Sequence, residues 1–251
     1  IEKAITSRTK AIVPVHFTGY MADMNCILEV ASRHQCAIVE DACQGILASI
    51  GGKNAGTFGT AGAFSLHPLK NLNVWSDGGL IVTDDEDFAG KLRLLRNHGL
   101  VNRDEVALLG YNSRLDTIQA VVGNWLIGST KDIAAKRIQN AARYDKAFGE
   151  ISQIRIPPRP PSMQIVYHLY IVFAENRDEL LRHCLENGIE AKIHYPTPIY
   201  RQEALQSHQH QIGDFPVTDR HAREIITFPV DQHLSDDEMD YVISTVKSFY
   251  E

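Results

Sequence analysis

The chain has 251 residues, with 31 acidic and 25 basic side chains for a formal charge of −6, and 44% hydrophobic against 22% charged positions. This balance excludes disordered, fibrous and low-complexity classes, and the basic residues are too scattered to form the stripe that a nucleic-acid backbone requires. No apolar run reaches the ~18 residues of a membrane span, and the opening IEKAITSRTK lacks the apolar middle of a secretory leader.

In chain order, the first hundred residues alternate short β-branched runs with helical stretches, the pattern of a mostly parallel sheet flanked by helices. The opening residues read as part of a helix, and 11–15 as a buried strand. Residues 24–34 follow as a helix with Ile27, Leu28 and Ala31 on one face. Residues 36–40 form the next strand, stopping at Asp41, and a glycine-rich, hairpin-like stretch runs from Gly51 to Gly62. Strands are expected at 61–66 and 80–83, then a helix from the acidic turn at Asp84 through Asn97. Helical spacing returns over 116–127 and over 131–150, the second stretch linking two lobes. The run Pro157-Pro158-Arg159-Pro160-Pro161 marks a connector. Beyond it, a strand at 167–173, a helix at 178–187 stopped by Gly188, a strand at 189–193 and a final helix capped by Ser235-x-x-Glu238 outline a smaller unit. The division expected is 1–130 as a large domain and 131–251 as the linking helix with a small C-terminal α+β domain, with a cleft between the lobes. Cys26, Cys36, Cys43 and Cys184 include no C-x-x-C pair and read as small core residues with free thiols in a reducing, cytoplasmic compartment.

The densest polar cluster is Ser65-Leu66-His67-Pro68-Leu69-Lys70-Asn71, which leaves a strand and is followed by Ser76-Asp77-Gly78-Gly79. A lysine held in such a loop can be desolvated, which frees its amine to bond to a carbonyl carbon. Asp41 ends a buried strand, where an unpaired carboxylate is costly. Together Lys70 and Asp41 suit pyridoxal 5'-phosphate (PLP), whose enzymes use a lysine for the aldehyde and an acid for the pyridinium nitrogen. His16 could line the same edge or be a hydrogen-bonded structural histidine, and both readings stay open. His208 and His210 resemble a metal tract, but no carboxylate or cysteine completes it, so no metal is expected.

Six stretches carry a family resemblance in order along nearly the whole chain. They are Ala11-Ile12-Val13-Pro14-Val15-His16, Val39-Glu40-Asp41-Ala42-Cys43-Gln44, Ser65 to Leu72, Arg96-Asn97-His98-Gly99, Gly110-Tyr111-Asn112-Ser113-Arg114-Leu115-Asp116 and His194-Tyr195-Pro196. The sequence resembles the PLP-dependent sugar aminotransferases of the StrS-like (DegT) group, which have the aspartate-aminotransferase fold (fold type I). The resemblance implies that Lys70 forms the Schiff base and shuttles the proton, that Asp41 partners the pyridinium nitrogen, and that Gln44 lies against the ring. It further implies that Ser65 binds the cofactor phosphate and that Asn112 reaches the phosphate held by the other subunit of a homodimer. His67, His194 and Tyr195 fall on the substrate side. The implied reaction moves an amino group from glutamate or glutamine to a nucleotide-linked or phosphorylated keto-sugar or a related cyclic ketone. A PLP sugar dehydratase is the alternative enzyme, although the relatives of that kind carry histidine in place of Lys70. A truncated, non-catalytic homologue acting as a dimerisation or regulatory partner is the alternative outside catalysis. The chain shows no initiator Met, and the family's phosphate-binding Gly-Thr helix start is not among these residues, so the stretch by itself is expected to hold PLP weakly.

Overall fold

Two short β-branched runs, Ala11–Ile12 (β1) and Ala37–Asp41 (β2), lie side by side in parallel, with Ala11 opposite Ala37 and Ile12 opposite Ile38. In the computed structural model, which describes residues 1–206 and 214–251, the chain gathers into two units. The first comprises residues 1–135 and 160–168, the second 136–159 and 169–251. The helix between the two strands, Met24–His34 (α1), starts where the Asp23 side chain accepts the Cys26 amide at 3.2 Å and ends at Gln35 in the left-handed region (φ 54°). Its buried face, Met24, Ile27 and Ala31, packs with Ile38, Ala42 and Ala48 in the core of the first unit, where each large apolar side chain contributes about 1.5–3 kcal/mol.

Ser49–Ile50 (β3) and Lys53–Asn54 (β4) make a tight hairpin through Gly51 and Gly52, both at positive φ. Ala61–Ser65 (β5) then lies parallel to β2, and Gly79–Val82 (β6) antiparallel to β5, giving the sheet order β1-β2-β5-β6. Gly62 sits where the loop folds back onto the sheet. A Cβ there would stand 2.3 Å from the Gly56 Cα, so no side chain fits. Helices Glu86–Leu95 (α2) and Thr117–Leu126 (α3) follow, and Thr130–Phe148 (α4) begins in the first unit and continues into the second.

After Ile154–Arg155 (β7) the chain returns to the first unit, where Met163–Gln164 (β8) pairs with β3 and the Gln164 side chain donates to the Leu47 carbonyl at 2.8 Å. The second unit is built on Tyr170–Ala174 (β9), flanked antiparallel by β7 and, after Arg177–Glu186 (α5), Glu203–Gln206 (α6) and Pro216–Glu224 (α7), by Ile225–Phe228 (β10). Tyr144 and Phe148 of α4 stack at 5.2 Å between ring centroids, and Tyr144 meets Tyr170 at 4.9 Å. Asp236–Tyr250 (α8) closes the chain, its capping box formed as Ser235 and Glu238 suggested.

Several expectations need correction. The opening residues make only one 3-10 turn, Glu2–Ala4. The strand expected at 11–15 stops at Ile12, with a single bridge at Val15 to Asp41, which itself is the last residue of β2. No strand forms over 189–193, because within it only Lys192 exchanges backbone bonds with a strand, at Thr227. The pairing partner is the fully buried run Ile225–Phe228, which local pattern did not single out. Tyr167 precedes β9 with φ 47° and cannot continue a strand. The cysteines are free, but Cys26 is exposed on the outward side of α1 and only Cys184 is buried. His208 and His210 lie outside the described residues. Among the described residues, no helix is long and apolar enough to cross a membrane and no cluster of potential metal ligands occurs.

Candidate active site

Strand alternation sends Ile38 and Glu40 to the core face of β2 and leaves Val39 and Asp41 half-buried on the other. Asp41 is held by its backbone, whose amide donates to the Pro14 carbonyl at 2.9 Å and whose carbonyl accepts the His16 amide at 3.0 Å. Its Oδ1 accepts the Cys43 amide at 3.1 Å, a local turn that aims the carboxylate past the strand end. Because β2 and β5 are parallel, with Asp41 opposite Ala63, Ser65 emerges at the same carboxyl edge of the sheet. Ligands of open α/β sheets bind at that edge.

From Ser65 the chain makes two tight local bonds. The His67 amide donates to Ser65 Oγ at 3.3 Å, and the Lys70 amide to the His67 carbonyl at 2.9 Å. Asn71 next to it is 4% exposed, and its Nδ2 donates to the Val166 carbonyl at 3.2 Å, pinning the lysine loop to the segment that returns over the first unit. Lys70 is half-buried. Burial disfavours its ammonium and lowers its pKa from the ordinary lysine value, against the opposing pull of Cys43 and Asp41. The Cys43 thiol is itself pushed up to about 11, first by burial and then by its bond to Asp41. Lys70, Asp41 and Cys43 therefore share one electrostatic neighbourhood, without a closed Lys70–Asp41 salt bridge among the described residues. A desolvated amine beside a carboxylate is the donor set that an aldehyde-bearing pyridine requires, and in this respect the site fits PLP.

The other expected residues are placed less simply. Gln44 is half-buried, and its Oε1 accepts the Thr18 amide, which fixes the Thr18-Gly19 turn. His67 is exposed, with Nδ1 accepting the Leu69 amide at 3.2 Å, so Nε2 carries the proton outward. Asn112 lies on a separate loop of the first unit, exposed, its Oδ1 accepting Arg114 Nε at 3.0 Å. In the second unit, His194 Nδ1 meets Thr227 Oγ1 at 2.9 Å, and burial together with the Lys192 charge lowers the His194 pKa, leaving a neutral imidazole at pH 7. Tyr195 is exposed, in edge contact with the His194 ring.

His16 takes the structural of its two readings. It is fully buried, its Nε2 lies 2.9 Å from Glu40 Oε2, and its Nδ1 accepts the Ala22 amide at 3.3 Å. The ring is therefore neutral, with its proton on Nε2. Burial alone would raise the Glu40 pKa, but the His16 bond and the amides of Gly59, Gly56 and Phe58 outweigh it and hold the carboxyl below the ordinary glutamate value. Sequence reading passed over Glu40. Its signal was present: alternation in β2 puts it on the same face as Ile38, and the glycine-rich run after it supplies free amides.

The chain matches the model of the DegT/DnrJ/EryC1/StrS aminotransferase family over residues 1–247. It is 38% identical over 248 residues to the erythromycin biosynthesis sensory transduction protein EryC1 of Saccharopolyspora erythraea, covering 99% of this chain and 68% of that protein. It is 37% identical over 251 residues to a dTDP-3-amino-3,4,6-trideoxy-alpha-D-glucose transaminase of Streptomyces venezuelae, covering 100% of this chain and 66% of the relative. The structure of S. venezuelae DesV in complex with a ketimine intermediate superposes with a TM-score of 0.95 at 37% identity, covering 100% of this chain and 67% of that one. The chain thus spans about two thirds of the length of these relatives.

Proposed function

The chain belongs to the DegT/DnrJ/EryC1/StrS aminotransferase family, and from that premise we propose that it is a PLP-dependent sugar aminotransferase that moves an amino group from glutamate or glutamine to a nucleotide-linked keto-sugar. The observation that carries this reading is Lys70, half-buried with its charged form disfavoured, sharing the carboxyl edge of the sheet with Asp41. The sugar transaminases among the relatives support the substrate class.

When bound, the cofactor supplies an electron sink that makes the substrate α-carbon acidic. Lys70 Nζ would be the amine that holds the cofactor through its aldehyde carbon and, when free, the base that carries the proton from the substrate α-carbon to that cofactor carbon. Lowering of its pKa by burial leaves more of the amine neutral and able to do so. Asp41, its carboxylate fixed at the strand end by the Cys43 amide, would hold the proton on the ring nitrogen. Ser65 Oγ, which accepts the His67 amide, would bind the phosphate, and the Gln44 side chain, held by the Thr18 amide, would pack against the ring. Asn112 of a second copy completes the phosphate site, which makes the enzyme a homodimer. His67, three positions before Lys70 in the first unit, would orient the sugar; His194 and Tyr195 belong to the second unit.

Two relatives bear regulatory names, a sensory transduction protein and a pleiotropic regulatory protein, and these favour the non-catalytic alternative. One experiment separates the readings. Incubation of the full-length protein with PLP, reduction with borohydride and peptide mass spectrometry place a phosphopyridoxyl group on Lys70, and Lys70→Ala abolishes it. Glutamate added before reduction prevents the labelling and releases 2-oxoglutarate in proportion to sites. Labelling at other lysines only, or none, overturns the proposal.

A further inference from the structure

Two of the sequence stretches singled out above, Arg96 to Gly99 and Gly110 to Asp116, are bound together as one unit. The Tyr111 amide donates to the Leu95 carbonyl at 2.7 Å, the His98 amide to the Tyr111 carbonyl at 2.8 Å, and the Ser113 amide to the Arg96 carbonyl at 2.9 Å. The loops press so closely that a Cβ on Gly110 would stand 2.3 Å from the Gly99 nitrogen. Asn97 and Asn112 are bridge partners across this clasp, and Arg114 reaches both. Its Nε donates to Asn112 Oδ1 at 3.0 Å and its Nη1 to Asn97 Oδ1 at 3.3 Å.

A guanidinium has five donors and no acceptor, so it can bind a carboxamide only through the oxygen. Contact with Arg114 therefore decides the orientation of Asn112, whose carboxamide, if flipped, would set N–H against N–H. The Asn112 Nδ2 is turned away as a pair of donors, and among the described residues no protein acceptor takes it. We propose that Arg114 is a positioning residue. Braced by Asn97, it presents the Asn112 amide in the one orientation that can donate to the phosphate of a cofactor held by a second copy of this chain. The inference rests on the reading of Asn112 given above and adds to it the group that makes the asparagine selective for an oxyanion. Preorganisation of this kind saves the cost of ordering an exposed side chain at the moment of binding.

The test compares PLP with pyridoxal, which lacks the phosphate, as ligands of the full-length protein by equilibrium titration. Arg114→Met is expected to weaken PLP roughly tenfold, the loss of about one well-placed hydrogen bond, while leaving pyridoxal within about twofold. Asn112→Ala is expected to do the same, and the double variant to be no weaker than Asn112→Ala alone, because the arginine acts through the asparagine. Arg114→Lys, a single point charge unable to hold two carboxamides, should recover little of the loss. If Arg114→Met weakens both ligands equally, its role is structural and the proposal fails. Multiplying losses in the double variant would mean that Arg114 acts independently of Asn112, which also overturns it. An unchanged PLP preference in Asn112→Ala would instead defeat the underlying reading of Asn112, a result distinguishable from failure at Arg114.

Discussion

Glu40→Gln changes one atom and keeps the shape, yet it strikes the most heavily bonded carboxylate in the first unit. Glu40 Oε1 accepts the amides of Phe58 at 2.6 Å and Gly59 at 2.9 Å, and Oε2 accepts the Gly56 amide at 2.8 Å and His16 Nε2 at 2.9 Å. A carboxamide has a single oxygen. Placed at Oε1, it sets its N–H2 against the Gly56 amide and the His16 N–H. Moving the histidine proton to Nδ1 relieves one conflict only by creating another with the Ala22 amide. Placed at Oε2, it orphans Phe58 and Gly59. Two donors lose their acceptor in either orientation, the buried Gly56 and His16 groups or the part-buried Phe58 and Gly59 amides, at about 1–3 kcal/mol each, or roughly 2–6 kcal/mol together. That is a large share of the ~5–15 kcal/mol that holds a typical domain together. Urea unfolding followed by circular dichroism measures the loss, and hydrogen exchange over 56–59 should show those amides opening first. The sign of the pH dependence is also set. Because folding lowers the Glu40 pKa from its ordinary 4.5, its contribution is complete above that value and lost as pH falls through the folded pKa. The gap between wild type and Glu40→Gln should therefore narrow in acid. A variant within about 0.5 kcal/mol of wild type at pH 7 would refute the argument that this carboxylate is held by four donors.

Asp41→Asn removes a negative charge that favours the Lys70 ammonium, so the pH midpoint for labelling of Lys70 by an amine-directed reagent should fall further below that of free lysine; a rise would contradict the placement of the two groups in one neighbourhood. Ser235→Ala deletes the oxygen that accepts the Glu238 amide at 3.2 Å at the start of α8 and should cost about 1 kcal/mol in unfolding, recovered largely by Ser235→Asp.

How much could be read beforehand varied with the range of the interactions involved. The helices over 24–34 and 236–250 were legible because caps and apolar spacing act within a turn or two. That Asp41 and the loop from Ser65 to Lys70 leave parallel strands at one edge was legible from the alternation of elements, whereas the part given to Ser65 came only from the family resemblance. The return of 160–168 to the first unit was not, since nothing in a proline-rich connector says that Asn71 will meet Val166, 95 positions away. Strand 225–228 was missed for a related reason: four buried apolar residues become a strand only when β9 offers its edge.

By itself, then, the sequence determined the alternation of elements, the face each buries, and the order of motifs that identifies the family. Only the tertiary structure decided which donors surround Glu40, why His16 is a neutral partner rather than a ligand-facing group, and that Arg114 sets the orientation of Asn112. Each outcome rests in part on a bond between residues 16 to 24 positions apart, His16 with Glu40, Gly56 with Glu40 and Asn97 with Arg114, and local periodicity carries no record of which distant donor will arrive at which acceptor.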